Sequence, residues 1–544
     1  MHVPSFLNQP LLLQDGSNLV LNAVTRYLPR KRLAGFATWQ NEEVFVKLFF
    51  GKSAYRYAMR DYQGLQHLSA AKILAPTVLW FGEVQKSVAD DDIGYALILQ
   101  KLTMLDDIEW VMHADARSEK VRLNLAHALI MTVASHHNAG LLQQDLFLKN
   151  FLWVNAPSRN DSTLTHDIPM HDSQIFTLDG DGIKVFRVLS KRRALQNLCM
   201  LLSKLDVIDV KTNLTQWLTL YARERGWKIA PNAAKIWRAS LTMRQKVATH
   251  YAEKKVFRPC TDVPLHEVRH QSLSHERHQF ASQKTETKSS FAQWFTNKLK
   301  SFLQAHLKLR REYVSWVAAI DENKLDRALA NSSFKRGHTC TVGLMHMPKN
   351  AGDVDSQHSV SVVIKRYNIK SGFHAVGRSI RTTRAAISWA NAHRLMQLGV
   401  KAHLPVGLLE LRSFFGLFAS KSYFLMQYID APDIATYFAQ TQDKVSRANT
   451  IHKLTLLFFR MYLMKLSHGD LKSTNIKIVN HAPVLIDLDS MKQHQYRWFA
   501  KRRHARDLCR FMRNWQDDAQ LYQAFKNALI TTYQDDLPFD QHHI

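Results

Sequence analysis

The sequence predicts an α+β chain of two tandem two-lobed domains, on three observations. Four elements, a strand lysine, a loop Asp, a loop Asn and a strand-ending acid, occur twice in the same order. Each copy opens on alternating apolar residues and closes on runs at helical spacing. A polar stretch without hydrophobic periodicity separates the copies.

The first repeated segment is a β-rich run centred on a lysine: EVFVKLFF (43–50) with Lys47, and SVVIKRYN (361–368) with Lys365. β-Branched and aromatic residues around a single cation suit a pleated strand. The second is a loop, QQDLFLKNFLW (143–153) and HGDLKSTNIKI (468–478), in which an Asp is followed five positions later by an Asn. The pairs are Asp145 with Asn150, and Asp470 with Asn475. The third is a short apolar strand ending in an acid, IFTLDGD (175–181) with Asp179 and VLIDLDS (484–490) with Asp487. Copies lie 318 residues apart at the lysines, 325 at the loops and 308 at the acids, a spacing that points to duplication. Longer runs at helical spacing, LQNLCMLLSKL (195–205) and LTLLFFRMYLMKL (454–466), stand in the later part of each copy. These landmarks divide the chain into a first domain with a helical tail (1–265), a polar linker (266–290) and a second domain (291–544). A basic amphipathic helix, FAQWFTNKLKSFLQAHLKLRR (291–311), opens that second domain.

Composition narrows the class. An apolar fraction of 46% and a charged fraction of 22% over 544 residues are those of globular proteins and exclude disorder, collagen and coiled coil. Cys199, Cys260, Cys340 and Cys509 are scattered without a CxxC pair, which excludes a disulfide scaffold and suits a reducing compartment. The opening MHVPSFLNQPLLLQDGSN carries no Lys or Arg before its apolar stretch, and the run LTLLFFRMYLM is short and broken by Arg460. A cytoplasmic protein is expected. With 73 Lys+Arg against 46 Asp+Glu, a net charge of +27 calls for an anionic partner: nucleic acid, phosphorylated glycan or membrane surface. Interleaved aromatics and RNA-binding motifs are missing, so nucleic acid is the least favoured.

The doubled set has the parts of phosphoryl transfer. That reaction needs a strand lysine on the α/β-phosphates and a carboxylate that orients the acceptor hydroxyl. An Asn and an Asp must also hold Mg²⁺ between the phosphates. Lys365, Asp470, Asn475 and Asp487 stand in that order, with His468 at the first position of the kinase loop H-R-D-L-x-x-x-N. Lys47, Asp145, Asn150 and Asp179 repeat it, with Gln143 where the histidine would be. Taken singly, each acid is a turn or cap residue and each lysine a solvated strand residue; the conjunction, seen twice, overrides that reading.

HGDLKSTNIKI, VLIDLDSM and RHARDLCRF (503–511) resemble the lipopolysaccharide core kinases, the Kdo/WaaP family of sugar kinases with a protein-kinase-like fold. HNAGLLQQDLFLKNFLW (137–153) and LDGDGIKV with LSKRRALQNL (178–198) look like the same catalytic and metal segments, so the likeness spans roughly 30–210 and 333–515. The resemblance implies two protein-kinase-like domains using ATP and Mg²⁺. It also implies a heptose or Kdo hydroxyl of the lipopolysaccharide core glycolipid as acceptor, reached from the anionic inner-membrane surface. Departures from the pattern are specific. No G-x-G-x-x-G loop is present; the second copy offers FKRGHTCTVG (334–343), with Gly337 and Gly343. Asp61 in the helix after Lys47 is placed to orient that lysine, whereas the second copy has Ser388 there and only Glu410 as a substitute. The second copy, with the cleaner loop, is the expected catalyst. A protein or small-molecule acceptor, or a pseudokinase scaffold, is the alternative.

Other signals carry less. HEVRH (266–270) fits the H-E-x-x-H zinc motif but stands in a polar setting, where His275 and His278 also read as solvated. The basic helix either packs on its domain or lies in a membrane interface. Arg378, Arg381 and Arg384 face acceptor phosphates or solvent, and Asp181 and Asp489 are second metal ligands or turn residues.

Overall fold

The computed structural model describes residues 6–28, 30–85, 93–103, 105–113, 119–154, 174–257, 265–270, 304–337, 339–348, 359–367, 382–413 and 418–538. The chain forms two compact units, Met1–Arg244 and Gln245–Ile544.

The first unit opens with strands β1 (Pro10–Leu12), β2 (Asn18–Leu28), β3 (Arg32–Trp39) and β4 (Glu42–Phe50). Helix α1 (Ala54–Ala70), β5 (Val78–Glu83) and β6 (Ile93–Gln100) follow. They make an antiparallel sheet in the order β1-β2-β3-β4-β6-β5. Alternation decides the position of Lys47. Val44, Val46 and Leu48 bury one face of β4 in a core with Leu21, Leu33 and Ile98, so Lys47 faces the other way. There Phe49 packs with Ala54, Ala58, Leu65 and Leu68 of α1, which brings the helix under the lysine.

The helical part opens with the short strand β7 (Leu105–Asp107), then holds α2 (Ile108–His113), α3 (Glu119–Asn138) and the short strands β8 (Leu141–Gln143), β9 (Phe151–Val154), β10 (Ile175–Thr177) and β11 (Ile183–Val185). Helices α4 (Lys191–Leu202), α5 (Val207–Glu224) and α6 (Ala233–Glu253) close it, α6 running across the unit boundary. Ser190 and Asp206 cap α4 and α5 through their side chains. Leu129, Val133, Leu198, Leu202, Trp217 and Tyr221 form the core on which β9 and β10 rest.

The second unit's sheet runs β12 (Leu265–His270), β13 (Gln304–Arg310), β17 (Pro405–Ser413), β18 (Phe418–Gln427), β16 (Ser359–Tyr367), β15 (Cys340–Pro348), β14 (Ser333–Arg336). Helix α7 (Glu322–Asn331) precedes β14, and α8 (Arg384–Gln397), capped by Thr383, packs under β16–β18. Helices α9 (Ile434–Gln440) and α10 (Lys444–Leu463) lead to the site strands β19 (Leu466–Ser467), β20 (Ile476–Val479), β21 (Ala482–Leu485) and β22 (Lys492–Gln493). Helices α11 (Arg497–Met512) and α12 (Ala519–Tyr533) finish the unit. The order β14-β15-β16-β18-β17 repeats the first unit's β2-β3-β4-β6-β5, with the lysine strand central in both.

Two expectations are corrected. The polar linker begins in strand: Leu265–His270 pairs antiparallel with Gln304–Arg310, so the HEVRH residues are extended and the helix that H-E-x-x-H requires is not formed. The last third of the supposed basic helix is also strand. QAHLKLR alternates, burying Leu307 and Leu309 beside β17, and this period of two won over the helical spacing read across 291–311. Trp294, Phe295, Phe302, His275 and His278 lie outside the described residues.

Candidate active site

In the second unit β16 presents Lys365, and two turns bring acids to it. Its ammonium lies 2.5 Å from Asp487 Oδ1 and 3.2 Å from Asp489 Oδ2. Asp487 ends the strand in the left-handed region (φ 61°, ψ 63°) just before Leu488–Ser490 turns. Asn391 of α8 braces that turn, donating to the carbonyls of Leu488 and Met491, each at 2.9 Å. Burial works against the Lys365 ammonium, but Tyr367, Asp487 and Asp489 outweigh it and hold its pKa above the usual lysine range. For Asp487 burial is outweighed by the Lys365 charge, which holds the carboxyl below its ordinary value.

The loop that carries Asp470 and Asn475 is zipped to this turn. His468, fully buried, places Nε2 3.1 Å from the Ile486 carbonyl, and Ile486 N–H donates to the Asn475 carbonyl at 3.0 Å. Asn475 Nδ2 donates to the Asp470 carbonyl at 2.9 Å and to its Oδ2 at 3.3 Å. Gly469 (φ +81°) is required here, since a Cβ would stand 2.7 Å from the Ser490 carbonyl oxygen. Arg510 reaches Asp470 Oδ1 at 2.5 Å and Lys472 its Oδ2 at 3.5 Å. Beneath the loop, buried Asp507 of α11 accepts the backbone N–H groups of His468 (2.6 Å) and Gly469 (3.0 Å). Burial pushes the Asp507 pKa up to about 6, against the pull of those two donors.

The first unit assembles the same parts with different bracing. Lys47 lies 2.7 Å from Asp61 Oδ2 and 3.3 Å from Asp179 Oδ1. Asp61 is fully buried and also accepts Gly180 N–H at 3.0 Å. α1 comes this close because Gly64 meets Gly180, where a Cβ would stand 2.0 Å from the Gly180 carbonyl oxygen. Burial is outweighed by Lys47 and Arg32 at Asp179, whose carboxyl is held below its ordinary value. Asn150 Nδ2 donates to the Asp145 carbonyl at 2.9 Å, and Leu178 N–H to the Asn150 carbonyl at 2.9 Å, as in the second unit. Beneath this loop the anchor changes: Asn197 Nδ2 donates to the Gln143 carbonyl at 2.8 Å while its Oδ1 lies 3.0 Å from His137 Nε2. Gln143 itself is buried and its amide makes no hydrogen bond among the described residues.

The structure thus places the sequence-selected residues in two clusters, Lys365 with Asp487, His468, Asp470 and Asn475, and Lys47 with Asp61, Asp179, Asp145 and Asn150. Glu410 does not substitute for the helix acid; it accepts Thr383 Oγ1 at 2.7 Å and pairs with Arg412. Asp489 does, from the turn. Ser388 instead shares a 2.9 Å hydrogen bond with the Tyr367 hydroxyl. Asp489 also binds Arg384 at 2.7 Å, and Asp181 pairs with Arg60, so both acids are ion-paired. Gly337 lies at the β14–β15 turn, its N–H bonded to the Cys340 carbonyl at 3.0 Å. Arg378 and Arg381 lie outside the described residues. Sequence reasoning missed Asp507, Asn197, Arg510 and Asn391. The signal for the first pair was present, since RDLC (506–509) stands opposite QNLC (196–199) in the repeat.

No curated protein sequence matches this chain. Among solved structures, WaaP in complex with acyl carrier protein is similar at 17% identity and a TM-score of 0.31, over 42% of this chain and 88% of that one. Amicoumacin kinase hAmiN in complex with AMP-PNP, Ca²⁺ and Ami is similar at 12% identity and a TM-score of 0.27, over 41% and 80%. The model of the lipopolysaccharide kinase (Kdo/WaaP) family matches residues 349–533, a span that contains Lys365, His468, Asp470, Asn475, Asp487 and Asp507. The protein is a kinase, and over residues 349–533 it is similar to the lipopolysaccharide kinase (Kdo/WaaP) family.

Proposed function

We propose that the second unit transfers the γ-phosphoryl group of ATP to a heptose or Kdo hydroxyl of the lipopolysaccharide inner core. The observation that carries this reading is the gathering of Lys365, Asp470, Asn475 and Asp487 on two zipped turns inside the family-matched span. Asp470, held by Arg510 and Lys472, orients the acceptor hydroxyl and takes up its proton. Lys365 serves the α/β-phosphates. The oxygens of Asn475 and Asp487 are the hard donors that Mg²⁺ takes, and they would hold the ion that neutralises phosphate charge. Asp489 positions Lys365, and Asp507 positions the loop. Gly337 at the hairpin turn is read as part of the nucleotide cover.

The first unit is read as a second protein-kinase-like domain, with Lys47, Asp61, Asp145, Asn150 and Asp179 in the same roles. The repeated strand order supports this. The replacement of the His468 and Asp507 pair by Gln143 and Asn197 favours a first unit that contributes less to transfer. Among the described residues no helix is long and apolar enough to cross a membrane. We place the protein in the cytoplasm, working at the inner-membrane surface where its acceptor is anchored. The test is transfer of labelled γ-phosphate from ATP to purified core glycolipid. Transfer to the glycolipid that Asp470→Asn removes supports the reading. Labelling only of protein or small-molecule hydroxyls changes the acceptor, and no turnover at all makes the chain a scaffold.

A further inference from the structure

Helix α11 carries more than the loop anchor. Residues 491–506 contain six Lys or Arg and no Asp or Glu. At its start Tyr496 is 65% exposed and Trp498 68%, an unusual expense of apolar surface. Lys501 and Arg502 stand three and four positions after Trp498, on the same helical face, and both are exposed. Neither they nor Lys492 have an acidic partner among the described residues, whereas Arg497 is engaged by Asp536 at 2.8 Å. Trp498 meets the neighbouring Phe499 edge-on at 5.6 Å while staying exposed.

We infer that the start of α11, with Tyr496 and Trp498 exposed and Lys492, Lys501 and Arg502 unpaired among the described residues, docks the second unit on an anionic lipid bilayer. Amphipathic aromatic rings favour the headgroup level, and unpaired cations favour a negative surface. Geometry ties the face to catalysis. α11 also bears Asp507, which holds the catalytic loop, and Arg510, which holds Asp470. From Trp498 to Arg510 the helix rises about 18 Å, so docking holds the catalytic carboxylate close to the lipid while leaving room for a sugar between them. The inference deepens the proposed function, and rests on it for why docking is useful.

Vesicle co-sedimentation of the full chain, without ATP or acceptor, tests it. The chain should bind vesicles containing phosphatidylglycerol, release them as salt rises, and ignore phosphatidylcholine alone. Trp498→Ala with Tyr496→Ala should weaken binding roughly tenfold or more, and Lys501→Gln with Arg502→Gln roughly fivefold per charge. Unchanged melting temperatures show that the fold is intact. Variants that bind like the wild type overturn the inference. So does a wild type that ignores anionic vesicles, including one whose patch holds only an acidic protein. Because no acceptor is present, docking without glycolipid phosphorylation sinks the proposed function alone, and transfer without docking sinks this inference alone.

Discussion

Lys365 is held by two acids of a single turn, Asp487 at 2.5 Å and Asp489 at 3.2 Å, while its counterpart Lys47 is held by one acid from a helix and one from a turn. In the second unit the helix thus makes no ionic claim on the lysine. Its part passes to Asn391, which braces the turn through backbone carbonyls. Asp489→Asn should therefore misplace Lys365 and lower kcat/KM for ATP by about tenfold to a hundredfold. Ser388→Ala should change it little. Steady-state kinetics with varied ATP separate the two; a Ser388 effect as large as that of Asp489 would refute the assignment.

The proposed function assigns metal-dependent nucleotide binding to Asp487. ATP should raise the melting temperature only when Mg²⁺ is present, because a ligand stabilises the state that binds it. Asp487→Ala should remove the second unit's share of that gain, and Asp179→Ala the first unit's. A full shift in the double variant would remove both acids from their roles.

A carboxylate that orients the acceptor acts at the chemical step. Asp470→Asn should lower kcat by two to four orders of magnitude, on the order of the general-base contribution, while ATP binding survives. Asp145→Asn should leave most transfer in place. Reversal of the two would make the first unit the catalyst.

Asp507 should link activity to pH. Its carboxyl, buried and pushed up to about 6, must be ionised to accept both loop N–H groups. The kcat profile should fall on the acid side near pH 6, and this limb should be missing in Asp507→Asn, whose activity is low throughout. The stability sign is opposite. A carboxyl with a raised folded-state pKa binds protons more readily when folded, so its contribution is largest at low pH and lost as pH rises through about 6. Melting temperatures of the wild type relative to Asp507→Asn should decline over that window and level off above it.

Much of this was written in the sequence because it is local. Strand alternation around Lys47 and Lys365, the Asp–Asn loops and the strand-ending acids depend on neighbours within a few residues, and their repetition is what predicts two similar domains. The role of Asp61 was legible too, since helix spacing places one residue beneath the lysine. Tertiary structure decided what depends on distant partners. Asp489 rather than Glu410 orients Lys365 because the turn after β21 folds back onto β16, which no local pattern encodes. Asp507 and Arg510 reach the catalytic loop from some forty residues further along the chain. Gln304–Arg310 became strand because the edge of β17 offered it a ladder, and pairing overrode the helical spacing of its own residues.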